Sequence, residues 1–462
     1  MSQKEVESAL RAADETKFLK IGAHASDDTI EIFKGQFPGQ KGVIVSDVNT
    51  YRAVGEKVHA RLKESGLELS DPMVIDDAGL YGNYRYVTQV RSFLEPLDAI
   101  AIAVGSGVIN DLTKLASHEL GRPYMCVATA ASMDGYSAFG ASITKDGAKQ
   151  TMACSAPRAI VADVGVIAGA PPVNNASGYA DLYAKVPAGA DWLVADALGV
   201  EPLDDKSWHI VQDGLKEALQ DPGGVRSGDH KALELLTEGL MLGGFAMQSL
   251  KSSRPASGAE HQFSHLWDME HHTFKGEMAR QFGLYKDRDE QAPSHGFKVG
   301  IGLLTSTALY ERVLATPLET LDVAAAVARW KPLEEQLAEV NRMFPEAGPR
   351  AFATDQVSKK YLTPAELESQ LTLLKSIWPG LREKLSRQII PYHQSRENLM
   401  AAGAPVDPEQ IGITRQRLRE SFYKAQKLRT RFTVLDLALR TGYLDTWVEE
   451  LFGENGVLKP ID

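Results

Sequence analysis

Three histidines and an aspartate in this sequence have the types and spacing to share a metal ion. His261 and His265 lie in SGAEHQFSH, and a separation of four puts both on one face of a helix. His295 lies in SHGFKVGIG, where Pro293 or Ser294 can open a further helix. Asp181 lies in SGYADLYAK, near the start of a helical segment. Two imidazoles and one carboxylate suit a divalent ion that keeps a catalytic position open. Helices of one bundle can point such ligands inward together, however distant they are in sequence. The spacing matches no compact metal motif, and histidines four apart also occur as ordinary surface or core pairs.

A second constellation concerns anions. AIAIAV (99–104) runs directly into Gly105-Ser106-Gly107-Val108-Ile109-Asn110-Asp111 and then a helix carrying Lys114. Glycine lets a backbone approach a phosphate closely, and amides at a helix N-terminus favour an anion. GSGVIN lacks the third glycine of the full GxGxxG fingerprint, so its strand–loop–helix setting carries the reading. Asp47 ends the apolar run KGVIVSD. A carboxylate there can bond the two hydroxyls of an adenosine ribose and repel a 2′-phosphate, favouring NAD over NADP; it can equally cap a helix.

The elements that must position these residues follow from the patterning. Continuous Val- and Ile-rich runs at 41–47, 72–75, 99–104, 124–128 and 159–162 read as strands buried on both faces. Helical segments near 50–65, 82–95 and 108–118 alternate with them, which gives a parallel α/β sheet. SITKDGAKQTM (142–152) reads as a hairpin turning at Asp146–Gly147. From about residue 174 the spacing becomes helical, broken at 222–224, 255–258, 293, 317, 345–349, 379–380 and 405–408. The expected fold is thus α/β plus all-α. An N-terminal Rossmann-like domain (1–200) precedes a C-terminal helical domain (201–462), whose segments after about 320 form amphipathic outer helices.

Bulk properties narrow the function. The chain has 462 residues, 44% hydrophobic and 24% charged, enough for two sizeable domains. A formal net charge of −11 argues against nucleic acid as the main partner. Two cysteines, Cys126 and Cys154, fit a reducing compartment rather than a disulfide framework. The N-terminus shows no apolar signal region, and no run reaches the roughly 18 apolar residues of a membrane span. The expectation is a cytoplasmic homo-oligomer acting on a small molecule.

Seven motifs occur in an informative order: VIVSD, GSGVINDLTK, ATAASMDGYSAFGASI, APRAIVADVGVI, SGYADLYAKVPAGADW, SGAEHQFSH and HGFKVGIG. Over about residues 40 to 310 the chain resembles the iron-dependent alcohol dehydrogenase and dehydroquinate synthase superfamily. Within it, the chain looks most like the sn-glycerol-1-phosphate dehydrogenases. The resemblance implies a cofactor and a metal in the cleft between the two domains. It makes Asp181, His261 and His295 the ligands of zinc, nickel or iron, with His265 close to the reacting centre and on the proton path. It assigns Gly105, Ser106 and Gly107 to the pyrophosphate of NAD(H) or NADP(H), followed by Asp111. Thr129, Ser132 and Asp134 fall near the nicotinamide and the substrate polyol, and Asp47 near the ribose. The insert HHTFKGEMARQFGLYKDRDE before His295 offers His271 and His272 as rival ligands.

The implied reaction interconverts dihydroxyacetone phosphate and sn-glycerol 1-phosphate by hydride transfer. The substrate phosphate then needs a cation, for which Arg254, Lys149 and Lys185 are the candidates. Glycerol or another small polyol is the alternative substrate, and a non-redox cyclase like dehydroquinate synthase a further reading. No family role extends to the tail beyond about residue 320.

Overall fold

The computed structural model describes residues 3–145, 148–286 and 288–460, without the side chains of residues 3, 4, 148 and 149. Its contacts divide the chain into two compact units.

The first unit is built on a six-stranded sheet. The strands are β1 (Phe18–Gly22), β2 (Lys41–Asp47), β3 (Met73–Ile75), β4 (Ala99–Gly105), β5 (Tyr124–Ala128) and β8 (Ala159–Asp163). Their order is β1-β8-β5-β4-β2-β3 and every pairing is parallel. The antiparallel pair β6 (Ala141–Lys145) and β7 (Ala148–Met152) forms the expected hairpin, its turn lying outside the described residues. Inner strands β4, β5 and β8 are buried along their whole length, because helices cover both faces of a parallel sheet. Phe33, Ile44, Val58, Leu62, Ile102 and Val127 are among the residues of that core.

Strand β1 was not expected from the sequence. FLKIG is short, sits at the sheet edge and has no fully buried residue, so it lacks the continuous apolar run that marks its partners. The helix expected near 50–65 forms as a short turn at Val48–Thr50, a π-helical turn at Tyr51–Gly55 and an α-helix at Glu56–Glu64.

The strand order reverses between β2 and β4. From β2 the chain steps outward to β3, then crosses back to β4 and proceeds through β5. Loops leaving adjacent strands in opposite directions open a crevice at their carboxyl ends. Asp47 ends β2, and Gly105 ends β4 just before the helix Gly107–Glu119.

The helix Pro172–Tyr183 clamps the segment after β5. Asn175 accepts the Ala131 N–H at 3.1 Å and donates to the Ile167 carbonyl at 3.0 Å. A Cβ on Gly178 would stand 1.9 Å from the Ala131 carbonyl oxygen, so only glycine permits this approach. The contact division falls inside this helix, after Leu182, rather than at residue 200. Residues 206–253 return to the first unit because the helix His230–Leu250 packs on β1 and on the short turn Asp134–Tyr136.

The second unit is almost entirely helical. Its centre is the crossing of Ala259–Met269 with His295–Ala315. A Cβ on Gly302 would lie 2.4 Å from the Glu260 carbonyl oxygen, so glycine sets that close packing. Pro379–Gly380 does not break the chain as expected: Pro364–Gln388 is one helix, opened by a Thr363–Glu366 capping box with Pro364 in its first turn. Among the described residues no helix is long and apolar enough to cross a membrane. Cys126 and Cys154 are free and buried.

Replacing Gly178 with alanine should lower unfolding stability by about 2–3 kcal/mol, the usual size of an overpacking penalty. Denaturant titration reads this directly; a change below about 0.5 kcal/mol, typical of an unconstrained surface site, would mean the helix does not clamp Ala131.

Candidate active site

Asp181 is fully buried near the C-terminal end of the Pro172–Tyr183 helix, and its Oδ2 accepts the backbone N–H of Asp134 at 3.0 Å. The bond ties Asp134, the residue assigned to the polyol, to a proposed ligand. His261 lies in the first turn of Ala259–Met269, and His295 opens the next long helix behind an N-cap at Ser294, which accepts the Phe297 N–H at 3.2 Å. The two imidazole centroids are 5.3 Å apart. One ligand atom from each of Asp181, His261 and His295 lies within 4.8 Å of the other two. Two imidazole nitrogens and a carboxylate, buried or half-buried and this close, fit a divalent ion.

The rival His272 is committed elsewhere. His272 Nε2 donates to the Ile411 carbonyl at 2.6 Å, while Nδ1 accepts from Arg417 at 2.7 Å. Both nitrogens of that neutral ring are therefore used. His271 is exposed just past the helix end with φ 50°.

His265 follows His261 by one turn, with centroids 6.2 Å apart. Arg429 Nη2 lies 2.8 Å from His265 Nε2. A guanidinium can only donate, so Nε2 accepts and the proton sits on Nδ1. Burial and the Arg429 charge, with a smaller push from His261, hold His265 well below the usual imidazole range.

On the nucleotide side, Ser106 stands in extended conformation before the helix Gly107–Glu119. A Cβ on Gly107 would meet the Met133 thioether at 2.6–2.8 Å, so the turn is closely covered from that side. Thr129 donates its backbone N–H to the Gly105 carbonyl at 3.2 Å, and the Ser132 hydroxyl lies 3.2 Å from the Tyr136 hydroxyl. Asp111 accepts the Ser142 N–H at 3.1 Å and pairs with Lys114 at 3.7 Å. Buried Lys114 also donates to the carbonyls of Gly135, Ala138 and Gly140, at 2.7, 2.9 and 3.1 Å. Both residues thereby hold the loop after Asp134. Asp47 caps the next turn through Oδ1, accepting from Asn49 and Thr50 at 2.8 and 3.0 Å.

The phosphate candidates separate. Arg254 is 1% exposed, pairs with Glu201 at 3.2 Å and donates to the Phe432 carbonyl at 3.2 Å. Lys185 is fully buried at the start of Lys185–Ala197. The Lys149 side chain lies outside the described atoms.

Comparison with known proteins adds sequence kinship to this geometry. Residues 20–171 match the iron-containing alcohol dehydrogenase family. A glycerol-1-phosphate dehydrogenase [NAD(P)+] of Halalkalibacterium halodurans is 32% identical over 279 residues, 60% of this chain and 66% of that relative. One from Bacillus velezensis is 31% identical over 272 residues, 58% of this chain and 68% of the relative. The chain belongs to the glycerol-1-phosphate dehydrogenase family of iron-containing alcohol dehydrogenases. It spans about two thirds of the length of these two relatives. The crystal structure of glycerol dehydrogenase from Schizosaccharomyces pombe shares the fold, with a TM-score of 0.56 at 16% identity, covering 94% of this chain and 90% of that one.

Three residues in contact with this grouping or its helices escaped the sequence reading. Glu260 is fully buried, and its Oε1 lies 2.8 Å from His261 Nδ1, so that ring nitrogen is engaged by the carboxylate. Burial pushes the Glu260 carboxyl up to about 7, against the Gly258 N–H and the charges of Lys185 and Arg431. Asp191, also buried, accepts the Ala259 N–H at 2.7 Å and so pins the start of the ligand helix. Arg429 comes from the tail. The one available signal was the acidic residue immediately before His261, since a carboxylate behind a ligand imidazole fixes its tautomer.

Glu260→Ala should weaken zinc binding by about 10- to 100-fold, the usual effect of removing a partner behind a ligand, read by chelator competition. Unchanged affinity would remove Glu260 from the site. Replacing His271 and His272 together by glutamine should leave that affinity within about threefold, at a stability cost of about 1–2 kcal/mol from the lost His272 bonds.

Proposed function

We propose that this protein is a metal-dependent, NAD(P)-linked dehydrogenase that interconverts dihydroxyacetone phosphate and sn-glycerol 1-phosphate. The grouping of Asp181, His261 and His295 in a chain of this family carries the reading. Zinc, nickel and iron all suit the donor set. A divalent ion bound there supplies Lewis acidity to a ketone oxygen. The nicotinamide supplies the hydride.

The chain's own residues bind and orient. Ser106 and Gly107 present backbone amides at the N-terminus of a helix of thirteen residues, which suits a pyrophosphate. Asp47 spends Oδ1 on its cap, and Oδ2 serves the ribose in this reading. Across the strand reversal from that loop, its charge disfavours a 2′-phosphate and so favours NAD over NADP. Thr129 and Ser132, on either side of the Ala131 that the Pro172–Tyr183 helix holds, flank the nicotinamide, and Asp134 hydrogen-bonds the polyol. His265 takes part in proton movement through the nitrogen that now accepts from Arg429.

Oxidation of NADH and NADPH should be followed with dihydroxyacetone phosphate and with dihydroxyacetone, before and after chelation and after adding back zinc, nickel or iron(II). We expect preference for the phosphorylated ketone, loss of at least about 100-fold on complete metal removal, and recovery with one of the ions. Full activity in metal-free protein would contradict the reading.

A further inference from the structure

The tail after residue 320, to which the family resemblance assigns no role, encloses a cavity of about 270 Å³ within the second unit. Its walls come from the helices Val323–Ala328, Leu333–Met343, Arg415–Ala425 and Leu444–Phe452 and from the segments beside them. None of its residues belongs to the grouping of Asp181, His261 and His295 or to the strand ends of the sheet. Small-molecule sites usually run from about 300 to 1,000 Å³, so this one suits a small metabolite rather than a dinucleotide.

We propose that this cavity binds a small organic carboxylate with an apolar body. The inference is independent of the reaction proposed above. Its first support is a buried cation. Lys427 lines the cavity, is 4% exposed, and its ammonium has no hydrogen-bond acceptor among the described residues. Glu339 approaches it through Oε2 at 3.8 Å, beyond hydrogen-bond reach, while Oε1 takes the Lys331 ammonium. Burial brings Lys427 down to about 8 against the pull of Glu339, and the Lys360 charge adds to the effect of burial. An anion in the cavity offsets that desolvation.

A second cation stands toward the surface. Arg329 caps the C-terminal end of Val323–Ala328, is exposed, and forms no hydrogen bond or ion pair among the described residues. Its guanidinium lies over Gly442, where a Cβ would stand 3.0 Å from Nη2, so glycine gives it room. The charged residues of the cavity are Arg329, Lys331 and Lys427 against Glu339 and Asp445, a surplus of one positive charge in a chain of net −11. Asp445 is already bonded to the Tyr423 hydroxyl. One carboxylate matches the surplus. A phosphate dianion exceeds it and faces the charges of Glu339 and Asp445.

The remaining walls are apolar and fixed. Trp330, Met343 and Leu444 line the space. The Trp330 indole N–H donates to the Leu362 carbonyl at 2.8 Å, and its ring stacks on Tyr361 with centroids 6.0 Å apart. A rigid aromatic wall beside two cations is the usual make-up of a preformed site for a small amphiphilic anion.

Calorimetric titration of the zinc-loaded full chain tests this, with wild type, Lys427→Met and Arg329→Gln. The probes are 3-phenylpropionate, 4-methylpentanoate, the neutral 3-phenylpropanamide and phenyl phosphate. At least one carboxylate should bind wild type with a Kd below about 1 mM, and the amide and phenyl phosphate at least about 10-fold more weakly. Lys427→Met should weaken the carboxylate at least about 10-fold, and the exposed Arg329→Gln about 3- to 10-fold, as for loss of a charge-assisted contact. Thermal melts report whether each variant is folded, and Arg329→Gln alone decides the matter if Lys427→Met is not. Neither carboxylate binding at about 10 mM, or binding unchanged in the folded variants, would overturn the site. Tighter binding of phenyl phosphate or of the amide would overturn the carboxylate assignment.

Discussion

One buried carboxylate organises the helical unit. Asp191 has no exposed surface and accepts three hydrogen bonds: the Ala259 N–H at 2.7 Å, the Tyr310 hydroxyl at 2.5 Å and the Val434 N–H at 2.7 Å. Those donors belong to the start of the helix bearing His261, the helix opened by His295 and the tail. Burial and the nearby Glu260 charge push Asp191 up to about 7, so its ionised form depends on these donors. Leaving such a group unpaired costs several kcal/mol, which is why the three elements are held in register. His261, His295 and the loop of Arg429 inherit their positions from that constraint.

The sheet unit works by a different rule. Its site residues occupy strand ends, where parallel topology gathers loops at one edge. Asp47 and Gly105 need no long-range partner to stand beside the reversal between β2 and β4. The polar interior of this unit supports the segment after β5: Asn175 holds Ala131, Lys114 holds three carbonyls, and Asp181 holds the Asp134 N–H. Asp181 thereby serves two ends, as a proposed ligand and as a brace for the residue assigned to the substrate.

Much of this was readable from residues alone where the signal is local. Buried strands announced themselves as unbroken Val/Ile runs, and β2 and β5 appear with the bounds that pattern gives. Ser294 capped the helix of His295 as its type implies. The edge strand β1 was invisible because half its environment is solvent. Family resemblance, more than spacing, selected His261 and His295 among the histidines, and the structure supplies a reason against His272: both of its nitrogens already have partners. Two of the residues that escaped, Asp191 and Arg429, act through contacts more than 60 positions away in the chain, which no periodicity encodes. The tail, read as an outer layer, instead brings Arg429 to His265.

The claim on which the account depends is that Asp181, His261 and His295 hold one divalent ion. Anomalous X-ray scattering from crystals of the zinc-reconstituted protein, recorded on both sides of the zinc edge, tests it most directly. The account predicts one strong peak per chain, coordinated by an Asp181 oxygen, a His261 nitrogen and a His295 nitrogen. A peak at His271 and His272, or none at the three residues after full reconstitution, would contradict it.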